Sequence, residues 1–144
     1  TGASRFGLTT IVASRTDSDP VIGDLIDRVA ENYTTAAGNF RMGVYEGNSA
    51  TVPDNLLTEL GSTAVATGYG WNNVTEAEFT KTYCFLADMT DENTTHLVRY
   101  TNGSGIGRTR YMDTAYTYGA LSDPFSVDVI DTSSPEMKVG HSLA

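Results

Sequence analysis

Short runs in which apolar and polar residues alternate, each closed by a cluster of Gly, Asn, Asp or Pro, recur along the whole chain and leave little room for anything but β-structure. The clearest run follows Gly38. Phe40, Met42 and Val44 alternate with Arg41, Gly43 and Tyr45, the period-two pattern of a half-buried strand. Glu46-Gly47-Asn48-Ser49 and Pro53-Asp54-Asn55 then break the run, because Gly and Asn tolerate positive φ while Pro fixes φ and carries no N–H. A short apolar link, a second strand and a turn ending on Trp71, the only tryptophan, complete a central stretch over residues 38–71.

The remaining runs extend the pattern. Phe6, Leu8, Thr10 and Val12 share one parity, with Thr9, Ile11 and Ala13 on the other, as in a strand covered on both faces. Residues 83–88 are apolar on both parities and predict a central strand. His96, Val98 and Tyr100 alternate with Leu97 and Arg99, and Asn102-Gly103 then reads as a hairpin turn. Residues 126–130 and 137–143 supply two further runs. Eight or nine short strands at these spacings predict an all-β antiparallel sandwich or jelly roll with little or no helix. Residues 21–33 are the ambiguous segment. Val21, Ile22, Leu25, Ile26 and Val29 recur at helical spacing behind an Asp19-Pro20 cap, and local pattern slightly favours helix, yet Leu25, Asp27 and Val29 also share one face of a strand.

At 144 residues, without internal repeat or low-complexity linker, the chain reads as one domain, 1–144, large enough to bury a core without disulfide or metal. Its formal charge of −9 repels nucleic acid and anionic membranes, so neither is an expected partner. No apolar run approaches the roughly 20 residues of a membrane span. Cys84, the single cysteine, lies in an apolar run and reads as a small buried hydrophobe. The sequence opens on Thr1, from which a processed or engineered N-terminus is expected. Four Asn-X-Ser/Thr sequons begin at Asn32, Asn73, Asn93 and Asn102 and become glycosylation candidates if the chain is exported.

No catalytic motif stands out. The chain has no nucleophile elbow, metalloprotease helix or phosphate loop, and no pair of acids is singled out for glycoside chemistry, so a non-enzymatic role is expected. Asp17 and Asp19, the group Asp88, Asp91 and Glu92, or the pair Asp128 and Asp131 are the places to look for calcium, and an ordinary surface loop is the simpler reading of each. His96 and His141 lack zinc spacing. Arg108 and Arg110 near Asp113 read as ion pairs on a sheet face. Trp71 with Tyr69 is the candidate platform for sugar rings, against the commoner role of aromatics in core or interface.

Ser4-Arg5-Phe6, the octapeptide from Gly38 to Tyr45, Leu56-Leu57-Thr58-Glu59, Gly70-Trp71-Asn72-Asn73-Val74 and the stretch 116–125 occur in one consistent order. Together they resemble secreted jelly-roll β-sandwich modules of archaeal and bacterial surface proteins and of some phage proteins. The resemblance implies that residues 21–33 form a strand and that the chain is an accessory, extracellular module. Some such modules are suspected of binding carbohydrate, and no catalytic residues carry over. These modules begin with a strand upstream of Ser-Arg-Phe, where this chain has only Thr1-Gly2-Ala3. The expected consequence is an open edge along Phe6, Leu8, Thr10 and Val12, at which copies of the chain complete one another and build a cell-surface filament. A carbohydrate-binding or adhesive module is the alternative.

Overall fold

The computed structural model describes residues 2–4, 11–15, 20–33, 38–91, 98–101, 109–114, 117–132, 134–135 and 137–142. All regular structure among them is β. One sheet contains β1 (Gly2–Ser4), β3 (Leu25–Tyr33), β6 (Gly68–Tyr69), β7 (Asn72–Glu78), β9 (Val98–Thr101), β12 (Ser134–Pro135) and β13 (Met137–Ser142). The other runs β11 (Val129–Thr132), β10 (Thr109–Asp113), β2 (Ile11–Arg15), β8 (Tyr83–Thr90), β4 (Asn39–Gly47), β5 (Asn55–Ala64). Every pairing is antiparallel. The chain is therefore a β-sandwich. Several of the thirteen segments are only two to four residues long, which is why they exceed the eight or nine expected.

The winding is that of a jelly roll. Taking β1, β2, β3, β4, β5, β7, β8 and β9 in chain order, each step crosses to the opposite sheet except the β4–β5 step, which pairs neighbours within one sheet. β9 and β10 accordingly lie in different sheets, and the turn expected at Asn102-Gly103 lies outside the described residues. Two additions extend the eight-strand frame. β10 and β11 widen the second sheet beyond β2, and β12 and β13 pair with β9 and β3.

Residues 21–33 form no helix. Gly23 takes φ of 102° in a turn that Asp24 fastens by accepting the Val21 N–H at 3.0 Å, and β3 follows. Against β13 the adjacent residues Gly140 and His141 pair with Arg28 and Ile26, so β3 carries one extra residue, Asp27, and its parity changes there. Ile26 and Val29 then both point into the core, three residues apart. That bulge is the origin of the helix-like spacing.

Two apolar layers flank the second sheet. Between the sheets, Val12, Ile26, Val29, Tyr33, Phe40, Met42, Val44, Phe79, Cys84 and Leu86 form the main core, with Cys84 buried in it as expected. On the outer face, Ala13, Tyr45, Phe85, Ala87, Met89 and Tyr111 pack against Leu121 and Phe125 from the stretch 117–128. β8 is thus buried on both faces, as its sequence predicts. β4 departs from expectation: Gly43 and Tyr45, read as its solvent side, are buried under that cover. Gly43 is needed there, because a Cβ would overlap the tip of Leu121. Tyr45 donates to the Ser122 carbonyl at 2.5 Å, and the Phe125 N–H donates to the Asp54 carbonyl at 2.9 Å, holding the cover in place.

Candidate functional site

Three places stand out, and the first is buried between the sheets. Glu31 and Tyr33 point inward from β3 toward Asp88 on β8. The Tyr33 hydroxyl lies 2.9 Å from Glu31 Oε1 and 3.0 Å from Asp88 Oδ1. Glu31 Oε2 and Asp88 Oδ2 are buried and receive no hydrogen bond. A tyrosine hydroxyl carries one proton and an ionised carboxylate carries none, so a proton retained by the acid pair supplies the donor this cluster lacks. Burial is the main reason the Asp88 carboxyl is pushed from its ordinary 3.8 up to about 6. Burial, then the charge of Asp88, raise Glu31 well above its ordinary value. Burial and the two acids likewise raise Tyr33. A pocket of about 80 Å³, lined by Glu31, Tyr33, Phe40 and Asn72 among others, reaches this cluster, and its volume suits a few waters. Asp88 is fully buried and does not line it. The arrangement can store a proton; it does not present two carboxylates across an open cleft as glycoside hydrolysis requires. Sequence reading missed the trio because Tyr33 and Asp88 are 55 residues apart. The available signal was an acid placed on the apolar parity of β3 and another inside the apolar β8 run.

Glu46 shows how an ordinary buried acid is satisfied. Its carboxylate accepts the Thr80 N–H and hydroxyl, both at 2.8 Å, and the Asn55 amide at 2.9 Å, tying β4 to the turn before β8.

The second place is the outer face of the seven-stranded sheet. Trp71 remains 52% exposed, and the Arg28 guanidinium lies over its ring at 4.9 Å from the centroid. Arg28 is paired in register with Asn73 of β7 on one side and with Gly140 of β13 on the other. A Cβ on Gly140 would strike the Arg28 chain, so this glycine lets Arg28 lie across its neighbour. Cross-strand partners project to the same face, and Asn73 is exposed. Trp71, Arg28 and Asn73 therefore share one solvent-facing patch, while Val74 turns inward to the core.

The third place is the outer edge of the six-stranded sheet. β11 pairs with β10 alone among the described residues. Its adjacent residues Val129 and Ile130 project to opposite faces, and both are exposed, 40% and 60%. The strand is anchored at its root, where Asp128 accepts the Thr114 N–H at 3.1 Å and the Thr114 hydroxyl at 2.7 Å.

The remaining predicted residues sort as follows. Val12 is no edge residue: β2 is paired on both sides, by β8 and β10, and Val12 is fully buried, because the sheet continues past β2. Phe6, Leu8 and Thr10 lie outside the described residues. Thr1-Gly2-Ala3 was expected to be too short a remnant for the strand upstream of Ser4, yet Gly2 and Ala3 join Ser4 in β1, which pairs with β9 as the outer strand of its sheet. Asn32 sits half-buried on β3, between paired neighbours. Asn93 and Asn102 lie outside the described residues, so Asn73 is the sequon the structure places on open surface. Tyr69 contributes β6 backbone, and its side chain is outside what is described. Of the calcium candidates, Asp88 is committed to Tyr33, Asp91 accepts the Asn39 N–H at 2.6 Å, and Asp128 holds Thr114. No group of three or more His, Cys, Asp or Glu able to hold a metal occurs among the described residues. Asp17, Asp19, Glu92, His96 and Arg108 lie outside them, as do the side chains of Arg110, Asp131 and His141; Asp113 is buried on β10. No helix among the described residues is long and apolar enough to cross a membrane. No family model, curated protein or solved structure matches this chain.

Proposed function

We propose that the chain is a non-catalytic structural module of an extracellular or cell-surface assembly, whose copies join by adding a strand across a sheet edge. The observation that carries this reading is β11: a strand anchored at its root, unpaired on one side among the described residues, and bearing Val129 and Ile130 uncovered on opposite faces. Open edges with apolar side chains are what a strand from another chain pairs with, main-chain hydrogen bonds providing affinity and side-chain contacts providing register. The joining edge thus moves from the N-terminal run to β11. The same chemistry leaves nucleic acid and membrane insertion out of the reading, given the acidic charge of −9. Electron microscopy and sedimentation of the purified native protein test it. Fibres or rods that persist in mild denaturant are expected, and uniformly monomeric particles overturn it.

Carbohydrate binding is kept as a second reading because Trp71 is half exposed with Arg28 on one face. A stacked sugar ring would quench Trp71 fluorescence, and an unchanged signal across a glycan panel would remove this reading.

A further inference from the structure

The exposed Trp71 ring and the exposed Asn73 amide lie two residues apart on one face, and the sequence continues Asn73-Val74-Thr75. We infer that Asn73 is an N-glycosylation site and that Trp71 seats the first sugar of the attached glycan. Two residues of extended chain reach at most about 7 Å, so a sugar ring on the Asn73 nitrogen falls within reach of the indole. Arg28, cross-strand partner of Asn73, occupies one face of Trp71, and 52% of the residue is still exposed. Asn73 and Thr75 are both exposed while Val74 packs inward, so the two residues that a transferring enzyme must read project together from an outer strand. Asn32, the other described sequon, has none of this: it is half-buried on a strand with neighbours on both sides.

The reaction is group transfer without redox change. The Asn73 amide nitrogen bonds to the anomeric carbon of an oligosaccharide carried on a polyprenyl phosphate or pyrophosphate. The bond from that carbon to the phosphate oxygen breaks, the amide loses one proton, and the lipid phosphate leaves with the electron pair. The apolar face of the first sugar then covers the indole, replacing water on a large apolar surface.

This inference shares with the proposed function only the premise of export, and the test separates them. The full chain is secreted from a glycosylating eukaryotic host and its glycopeptides are identified by mass spectrometry. Asn73 is expected to be occupied. Ring protons of the first sugar should be shifted upfield by the indole current in NMR spectra, with the shift lost in Trp71→Ala and retained in part in Trp71→Phe. A secreted, folded chain with Asn73 bare overturns the inference, as does an occupied Asn73 whose sugar resonances ignore Trp71→Ala. Titrating Asn73→Gln protein with free chitobiose separates the other source of the same chemistry: Trp71 quenching there, with Asn73 bare in the secreted chain, assigns the ring to free glycan and overturns the attached one. A glycosylated monomer sustains this inference while overturning the assembly, and fibres with bare Asn73 do the reverse.

Discussion

The two edges of the six-stranded sheet are handled in opposite ways. At β5 the chain covers its edge: Asp123 accepts the Leu56 N–H at 3.1 Å, Glu59 accepts the Leu121 N–H at 3.2 Å, Ser62 and Tyr118 share a hydrogen bond of 2.6 Å, and Thr58 donates across to Thr75 of β7 at 2.7 Å. At β11 nothing comparable is seen among the described residues, and two β-branched side chains face solvent. Edges left open invite pairing with other chains, and folds ordinarily blunt them. The stretch 117–128 leaves the covered edge, crosses the outer face of the sheet and ends as the strand that makes the open one. One segment therefore protects the module at one side and exposes it at the other.

Placing a charge on the open edge should have the largest effect. Ile130→Lys is expected to abolish assembly while changing folding stability by no more than about 0.5 kcal/mol, because the site is exposed. Thr63→Lys on β5 is the matching control and should leave assembly intact; sedimentation velocity with a parallel thermal melt reads both, and equal effects at the two edges would erase the contrast. Leu121→Ala attacks the cover instead. Removing this buried side chain should cost about 3 kcal/mol, seen as a lower denaturant midpoint with little change in slope.

The acid pair provides a stability lever remote from either edge. Asp88 binds its proton more tightly folded than unfolded, its carboxyl standing at about 6 against an ordinary 3.8, and Glu31 is raised in the same direction. The folded state then holds more protons between those values, so stability is full below about pH 4 and is lost as pH rises through about 6. Roughly 2 units on Asp88 correspond to about 3 kcal/mol at most. Urea melts between pH 4 and 7 should show the decline, and Asp88→Asn should flatten it; a pH-independent wild-type midpoint would contradict the shared proton. Assembly of folded chains should not follow that curve, since β11 is remote from the pair in the sheet order. Tyr118→Phe should have the smallest effect, about 0.5 kcal/mol, because its hydrogen bond to Ser62 is exposed.

Much of the fold was legible from residue order. The apolar parities of 83–88 anticipated a strand buried on both faces, and the punctuation of the chain anticipated antiparallel sandwich architecture. Local pattern was deceptive at two places, for physical reasons. The extra residue Asp27 in β3 gave helix-like spacing to a segment that the resemblance read as a strand, and the cover over β4 hid from local pattern that Tyr45 is interior. The candidate sites were less legible. Trp71 and Asn73 were each visible as residues, but their sharing a face with Arg28 depends on strand register. The Glu31–Tyr33–Asp88 cluster showed in the sequence only as acids on apolar parities, and a polar residue there carries no label for its partner.

Residue order alone determined the β class and the approximate strand positions, because alternation and turn chemistry act between near neighbours in the chain. Tertiary structure decided the jelly-roll winding, which edge is covered and which open, the meeting of Glu31, Tyr33 and Asp88 between the sheets and the patch around Trp71. Those depend on contacts between residues far apart in sequence, and only the folded register brings them together.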